Sequence, residues 1–197
     1  WIAAVNLPGL DIEGVYLVTL CQSQTTVDGV TVDFRRSVDH GRTWSDPRRV
    51  NDDRPSRFTW QWFPTLSVAP NGRIDLTWYD TRNDPSTDRD EYSELFYSSS
   101  TDAGSTWSPN VSVSVPFNHY LGGPSGNSKL GDYYTMVSDN LGVNVAYAAT
   151  FNGEQDVYFL RIGPFDCNGN EVPDEDDIAA KTSLDCNAND IPDDCEF

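Results

Sequence analysis

Short runs in which apolar and polar residues alternate fill the chain up to about residue 165, and a helical period is hard to find there. Residues 14–22, 29–37, 63–70, 73–80, 94–100, 110–116, 133–139, 143–150 and 156–162 all read as strands. The opening WIAAVNL would supply one more. Turn signals separate them: Pro70-Asn71-Gly72, Asp139-Asn140-Leu141-Gly142 and Asn152-Gly153. Asn-Gly takes a positive φ at little cost, which a tight hairpin needs. Gly72 and Gly142 lie 70 positions apart, each ahead of a strand of the same kind, RIDLTWYD or VNVAYAAT.

An octapeptide repeats at nearly the same interval. SVDHGRTW (Ser37–Trp44) and STDAGSTW (Ser100–Trp107) share Ser-x-Asp-x-Gly-x-Thr-Trp at a separation of 63. Asp39 and Asp102 suit hydrogen bonds from the N–H groups of their own turn. Gly41 and Gly104 suit a φ that a Cβ resists. Trp44 and Trp107 are expected to fold back as apolar plugs, and Thr43 and Thr106 to favour the following strand. His40 falls at a variable position and reads as an exposed loop residue.

The octapeptide resembles the Asp-box, or BNR repeat, of sialidase-like β-propellers. The resemblance implies an all-β fold with one box per four-stranded blade, away from the active-site face. About three blades can be counted, the third without a box. Closed propellers hold about four to eight. An arc of three leaves open edges, so we expect either missing blades or an assembly that completes the sheets.

Composition changes the picture mainly in the tail. The net charge is −18, which argues against nucleic acid as a partner. Residues 166–197 hold 11 acids against one lysine, over half of that net charge. Two segments 19 apart, DCNGNEVPDEDD and DCNANDIPDDCE, place oxygen-bearing residues at positions 1, 3, 5, 9 and 12 of a twelve-residue loop. These are Asp166, Asn168, Asn170, Asp174 and Asp177, then Asp185, Asn187, Asn189, Asp193 and Glu196. Val172 and Ile191 stand at position 7, where a backbone carbonyl would be the ligand. Hard oxygens at this spacing are what Ca2+ takes, so two ions are expected. The segment resembles dockerin repeats and thrombospondin type 3 calcium repeats. It departs from the EF-hand pattern at position 6, with Glu171 and Asp190 for Gly, and at position 8, with Pro173 and Pro192. Residues 178–184 allow two helical turns at most. We therefore divide the chain into blades at 1–163 and tandem loops at 164–197. A second acidic stretch, with Asp84, Asp88, Asp90 and Glu91, reads as a solvated loop, the alternative being a site for a further ion.

Four cysteines, Cys21, Cys167, Cys186 and Cys195, suit an oxidising compartment and allow three pairings. A Cys186–Cys195 bridge would hold the second loop. The chain begins at Trp1, its single methionine is Met136, and no apolar run is long enough to span a membrane. We expect an extracellular chain that is a processed product or a piece of a longer one.

Chemistry is thinner. Sialidases bind a carboxylate with three arginines and use a Tyr–Glu pair and an Asp. The Arg-Ile-Pro motif of that family is absent, and Arg57, Arg82 and Arg161 lack the family contexts. Tyr133 and Tyr134, after Asp132, read as packing. Three blades cannot enclose a central site, so no catalytic residue is assigned. Trp60 and Trp62 share one face of a strand, where flat rings stack on sugars or pack between blades. The sequence thus points to a secreted structural or adhesive module. It would assemble with copies of itself or with a partner, a glycan or a cohesin-like protein among them. The alternative is a fragment of a sialidase-like glycoside hydrolase with a dockerin-like tether.

Overall fold

The computed structural model describes residues 2–7, 12–22, 29–86, 91–121, 130–131 and 134–196. Three antiparallel sheets follow one another along the chain. The first has β1 (Ile2–Leu7), β2 (Ile12–Gln22), β3 (Val30–Ser37) and β4 (Arg48–Arg49) in sequential order. The second runs β5 (Gln61–Val68), β6 (Ile74–Asp80), β7 (Tyr92–Ser100) and β8 (Val111–Ser112). The short β9 (Phe117–Asn118) joins the start of β7. The third is β10 (Thr135–Ser138), β11 (Val143–Ala149) and β12 (Asp156–Ile162). Up-and-down sheets in series are the blade arrangement that the repeats implied.

Alternation decides what each face meets. Tyr16, Val18, Val32 and Phe34 of the first sheet pack against Leu66, Ile74, Leu76, Trp78 and Phe96 of the second. Tyr79 and Leu95, on the second sheet's other face, pack against Met136, Val143, Val145 and Tyr147 of the third. Strand β6 is therefore buried at every residue: Ile74, Leu76 and Trp78 point one way, Asp75, Thr77 and Tyr79 the other. In β5 the ladder slips between Trp62 and Thr65, where Phe63 has φ 49° and Pro64 has no N–H to donate.

Polar clamps fix the sheets to one another. Arg82 donates to buried Asp80 at 2.7 Å and to Asp52 at 2.6 Å, reaching from the second sheet to the segment that leaves the first. Its guanidinium also lies 4.3 Å from the centre of the Phe96 ring. Arg73 reaches the third sheet, donating to the carbonyls of Asp139, Asn140 and Gly142 while held by Asp75. The turns carrying Gly72 and Gly142 thus meet side by side, and Asn71 N–H donates to Asn140 Oδ1 at 2.8 Å.

Several expectations change. Strands β4 and β9 are two residues each, too short to carry a readable alternation. The run at 110–116 contributes only Val111–Ser112. In the tail, helix α1 (Asp174–Ala180) begins inside the first loop and not after it. The disulfide joins Cys167 to Cys195, 28 residues apart, and Cys186 is free and exposed. A Cys186–Cys195 bridge is thereby excluded: position 2 of the first loop meets position 11 of the second, and the reciprocal partner of Cys186 would be Asp176. The Cys21 side chain lies outside the described residues, as do Asp88, Asp90, Asp132 and Tyr133.

Candidate functional site

The two octapeptide turns are built alike. Ser37 Oγ accepts the Gly41 N–H at 2.8 Å and donates to Asp39 Oδ1 at 2.8 Å. Asp39 in turn accepts the Thr43 N–H at 2.8 Å and the Thr43 hydroxyl at 2.6 Å. In the second copy, Ser100, Gly104, Asp102 and Thr106 repeat each bond, with the same distances to within 0.1 Å. The threonine hydroxyl bonds first, then the threonine N–H, pull both carboxyls down to about 2. This role of Thr43 and Thr106 was not apparent from strand propensity. Gly41 (φ 82°) and Gly104 (φ 81°) take the left-handed turn, each after a second positive-φ residue, His40 or Ala103. Every carboxylate oxygen in these turns is engaged within its own hairpin, so they are structural locks. Trp107 packs edge-on to Phe34 at 5.2 Å, whereas Trp44 is half-buried.

The tail loops are also duplicates. Asn168 and Asn170 both donate through Nδ2 to Asp177 Oδ2, at 3.2 and 2.8 Å. Asn187 and Asn189 both donate to Glu196 Oε1, at 2.9 and 2.5 Å. Positions 3, 5 and 12 therefore converge on one point in each loop. Asp166 Oδ2 accepts the Glu171 N–H at 2.9 Å, and Asp185 Oδ2 the Asp190 N–H at 3.0 Å. These bonds accompany positive φ at position 6, 66° at Glu171 and 64° at Asp190, the conformation a glycine there would take more cheaply. Asp174 and Asp193 close the loops from position 9 by accepting the N–H of position 2, Cys167 or Cys186. Val172 and Ile191 at position 7 have their N–H groups taken by Asn170 and Asn189. Pro173 and Pro192 offer no N–H at position 8. Instead the N–H of position 9 returns to the residue before the loop, Asp174 to Phe165 and Asp193 to Leu184. The donors at positions 1, 3, 5 and 12 are all hard oxygens once each amide is turned over, which fits a hard cation such as Ca2+.

The other candidates are spoken for. Arg82 is the clamp described above, Arg161 donates to Asp139 at 2.7 Å, and Arg57 rests on the Phe58 ring. Tyr134 is buried and donates to Thr77 Oγ1. Tyr97 donates to Asp75 at 2.7 Å, and burial, with the Asp75 charge, pushes its hydroxyl up to about 12. Burial likewise raises Tyr79 and Tyr134. A nucleophile needs the opposite shift. Trp62 is packed among Phe63, Tyr79 and His119, with its N–H on Ser93. Trp60 is 43% exposed. The Asp84 carboxylate takes the N–H groups of Ser86, Glu91 and Tyr92 and so ties the ends of its loop together.

The fold is that of sialidase-like β-propellers. It is similar to a Hadza microbial sialidase, with a TM-score of 0.51 and 16% identity over 81% of this chain. The chain spans about a third of that sialidase, 34% of its length. The α-L-arabinofuranosidase of Fusarium graminearum gives 0.47 at 11% identity, covering 83% of this chain and 56% of the enzyme. The NanB sialidase of Streptococcus pneumoniae gives 0.41 at 14%, covering 81% and 23%. No family model matches the sequence, and no curated protein matches it.

Proposed function

We propose that this chain is an extracellular, non-catalytic structural module: a propeller segment carried beside a dockerin-like tail that folds around two calcium ions. It docks through its exposed blade edges and its calcium-stabilised tail, and Trp60 is the aromatic it offers to a glycan. The observation that carries the non-catalytic reading is that Arg82, Arg161, Tyr97 and Tyr134 are all committed to holding sheets together. What supports calcium is the convergence of positions 3, 5 and 12 in both loops. Asp166, Asn168, Asn170, the Val172 carbonyl and Asp177 would hold one ion. Asp185, Asn187, Asn189, the Ile191 carbonyl and Glu196 would hold the other, with Asp174 and Asp193 closing the loops. The disulfide and the lack, among the described residues, of a helix long and apolar enough to cross a membrane fit an exported protein.

The test is calorimetric titration of the 197-residue chain with Ca2+, run beside a fluorogenic sialoside assay. About two equivalents of Ca2+ should bind and raise the melting temperature, because ligand binding to the folded state stabilises it. No heat and no thermal shift would sink the calcium reading. Turnover of the sialoside would replace this function with that of a sialidase-like hydrolase fragment.

A further inference from the structure

The first two sheets build their outer hairpins alike, at an offset of 63 residues. Phe34 pairs with Arg48 as Tyr97 pairs with Val111. Ser45 Oγ accepts the Arg36 N–H at 3.0 Å, and Ser108 Oγ accepts the Ser99 N–H at 2.9 Å. The Val50 N–H returns to the Val32 carbonyl as the Val113 N–H does to that of Leu95. The side chains hung on this frame differ. Residues 35–50 carry five arginines, Arg35, Arg36, Arg42, Arg48 and Arg49, whereas residues 98–113 carry no lysine or arginine. Arg36 corresponds to Ser99 and Arg48 to Val111. One copy of the hairpin folds without arginine, so the frame does not account for the arginines of the other. They are gathered in a chain whose net charge is −18.

Two of the five share a cleft. Arg48 lies across from Phe34, and Arg36 follows it by two positions on the same strand, so all three side chains share one face. That face meets the second octapeptide turn. Between them is a cleft of about 330 Å³, lined by Arg36, Arg48, Ser45, Asp46 and residues 103–105 of the turn. Its size falls at the lower end of the range for ligand pockets, about 300–1,000 Å³. Arg48 is steadied by the Ser105 carbonyl. Arg36 Nε is buried and has no hydrogen-bond partner among the described residues. Buried polar atoms are nearly always paired. Asp46 borders the same cleft, yet among the described residues no ion pair joins it to either arginine. Two guanidinium groups therefore face one cleft with no carboxylate of the chain on either.

We propose that this cleft binds one anionic group of an acidic polysaccharide, a carboxylate or a sulfate ester, with Arg36 and Arg48 as the donors. The guanidinium fork matches both anions, because it offers paired N–H groups to paired oxygens. The exposed Ser105 hydroxyl beside it suits a ring hydroxyl. The charge of the whole chain repels a dense polyanion such as nucleic acid. A sugar chain spaces its charges a ring apart and brings less of that repulsion to a local basic site. The proposal rests on the glycan part of the reading above. Trp60 is not among the residues lining the cleft, so the two can be tested apart.

Calorimetric titration of the 197-residue chain with oligogalacturonate, a carrageenan oligosaccharide and neutral dextran tests it, in EDTA so that no cation bridges a probe to the acidic tail. At least one acidic probe should bind, and dextran should not. Binding of oligogalacturonate alone assigns a carboxylate, and binding of carrageenan alone a sulfate ester. Arg36→Ser and Arg48→Val install the residues of the second hairpin and should each weaken binding about tenfold or more, the loss of one charge-assisted contact. Asp46→Asn removes the acid at the cleft and should tighten binding. Should Arg48→Val fail to fold, Arg36→Ser and Asp46→Asn decide. Binding lost in Trp60→Ala but unchanged in both arginine variants would leave the glycan reading standing and overturn this one. No binding of either acidic probe, or equal binding of dextran, overturns it as well.

Discussion

Phe34 of the first sheet stands over Gly104 of the second, and its ring meets Trp107 edge-on at 5.2 Å. The turn that locks one blade is therefore part of its neighbour's core. Arg48 adds to this by donating to the Ser105 carbonyl.

Gly104→Ala should therefore cost far more than Gly41→Ala. Both place a Cβ at positive φ, a strain of about 1 kcal/mol or more. Only at Gly104 must a packed ring also move, which adds about 1–3 kcal/mol of overpacking. Urea unfolding of both variants checks this. Equal losses would remove the distinction between the two turns.

Acid should weaken the two locks together. Asp39 and Asp102 fall from the ordinary 3.8 to about 2 in the folded chain. A depressed folded pKa gives stability that is present above the unfolded value and lost as pH falls through the folded one. Thermal melts between about pH 4 and pH 2 should show this loss, and an Asp39→Asn, Asp102→Asn double variant should show a shallower slope there.

Arg82→Met should unfasten the first sheet from the second. The change leaves buried Asp80 without its cation while keeping most of the apolar stem. Removing one partner of a buried pair costs about 3–5 kcal/mol, or roughly 10 °C of melting temperature in a chain of this size. Arg82→Lys should recover only part, because an ammonium cannot span both Asp80 and Asp52 as the guanidinium does.

Among the described residues, Cys186 is the thiol that should label without reductant, and slowly. Its hydrogen bond to the Asp193 carboxylate, then the charge of that carboxylate, raises its pKa. Asp193→Asn should release more thiolate and speed alkylation at pH 8, followed by mass spectrometry. Rapid labelling of the wild-type thiol would contradict the bond.

Local features were the legible ones. The octapeptide locks draw every bond from within eight residues, so spacing alone announces them. The tail loops were readable at a period of 19 for the same reason, although nothing local says that Asp166 and Asp185 hold Glu171 and Asp190 at positive φ. Long-range pairings were not legible. The Cys167–Cys195 bridge depends on how two loops dock, and Arg82 carries no motif to mark it as a clamp. Trp60 and Trp62 look alike in sequence, yet only Trp62 is drawn into an aromatic cluster. Alternation also gave no sign of which faces are covered: Val157 and Phe159 read like Leu95 and Tyr97, yet Leu95 is buried while Val157 and Phe159 are exposed.

Strand β6 is walled on both faces and paired on both edges. In native-state hydrogen exchange its amides should be the last to open. If the chain is pulled from its two ends, as a tethered surface protein would be, the outer sheets should peel first. The middle sheet would then remain as the last folded element resisting the load.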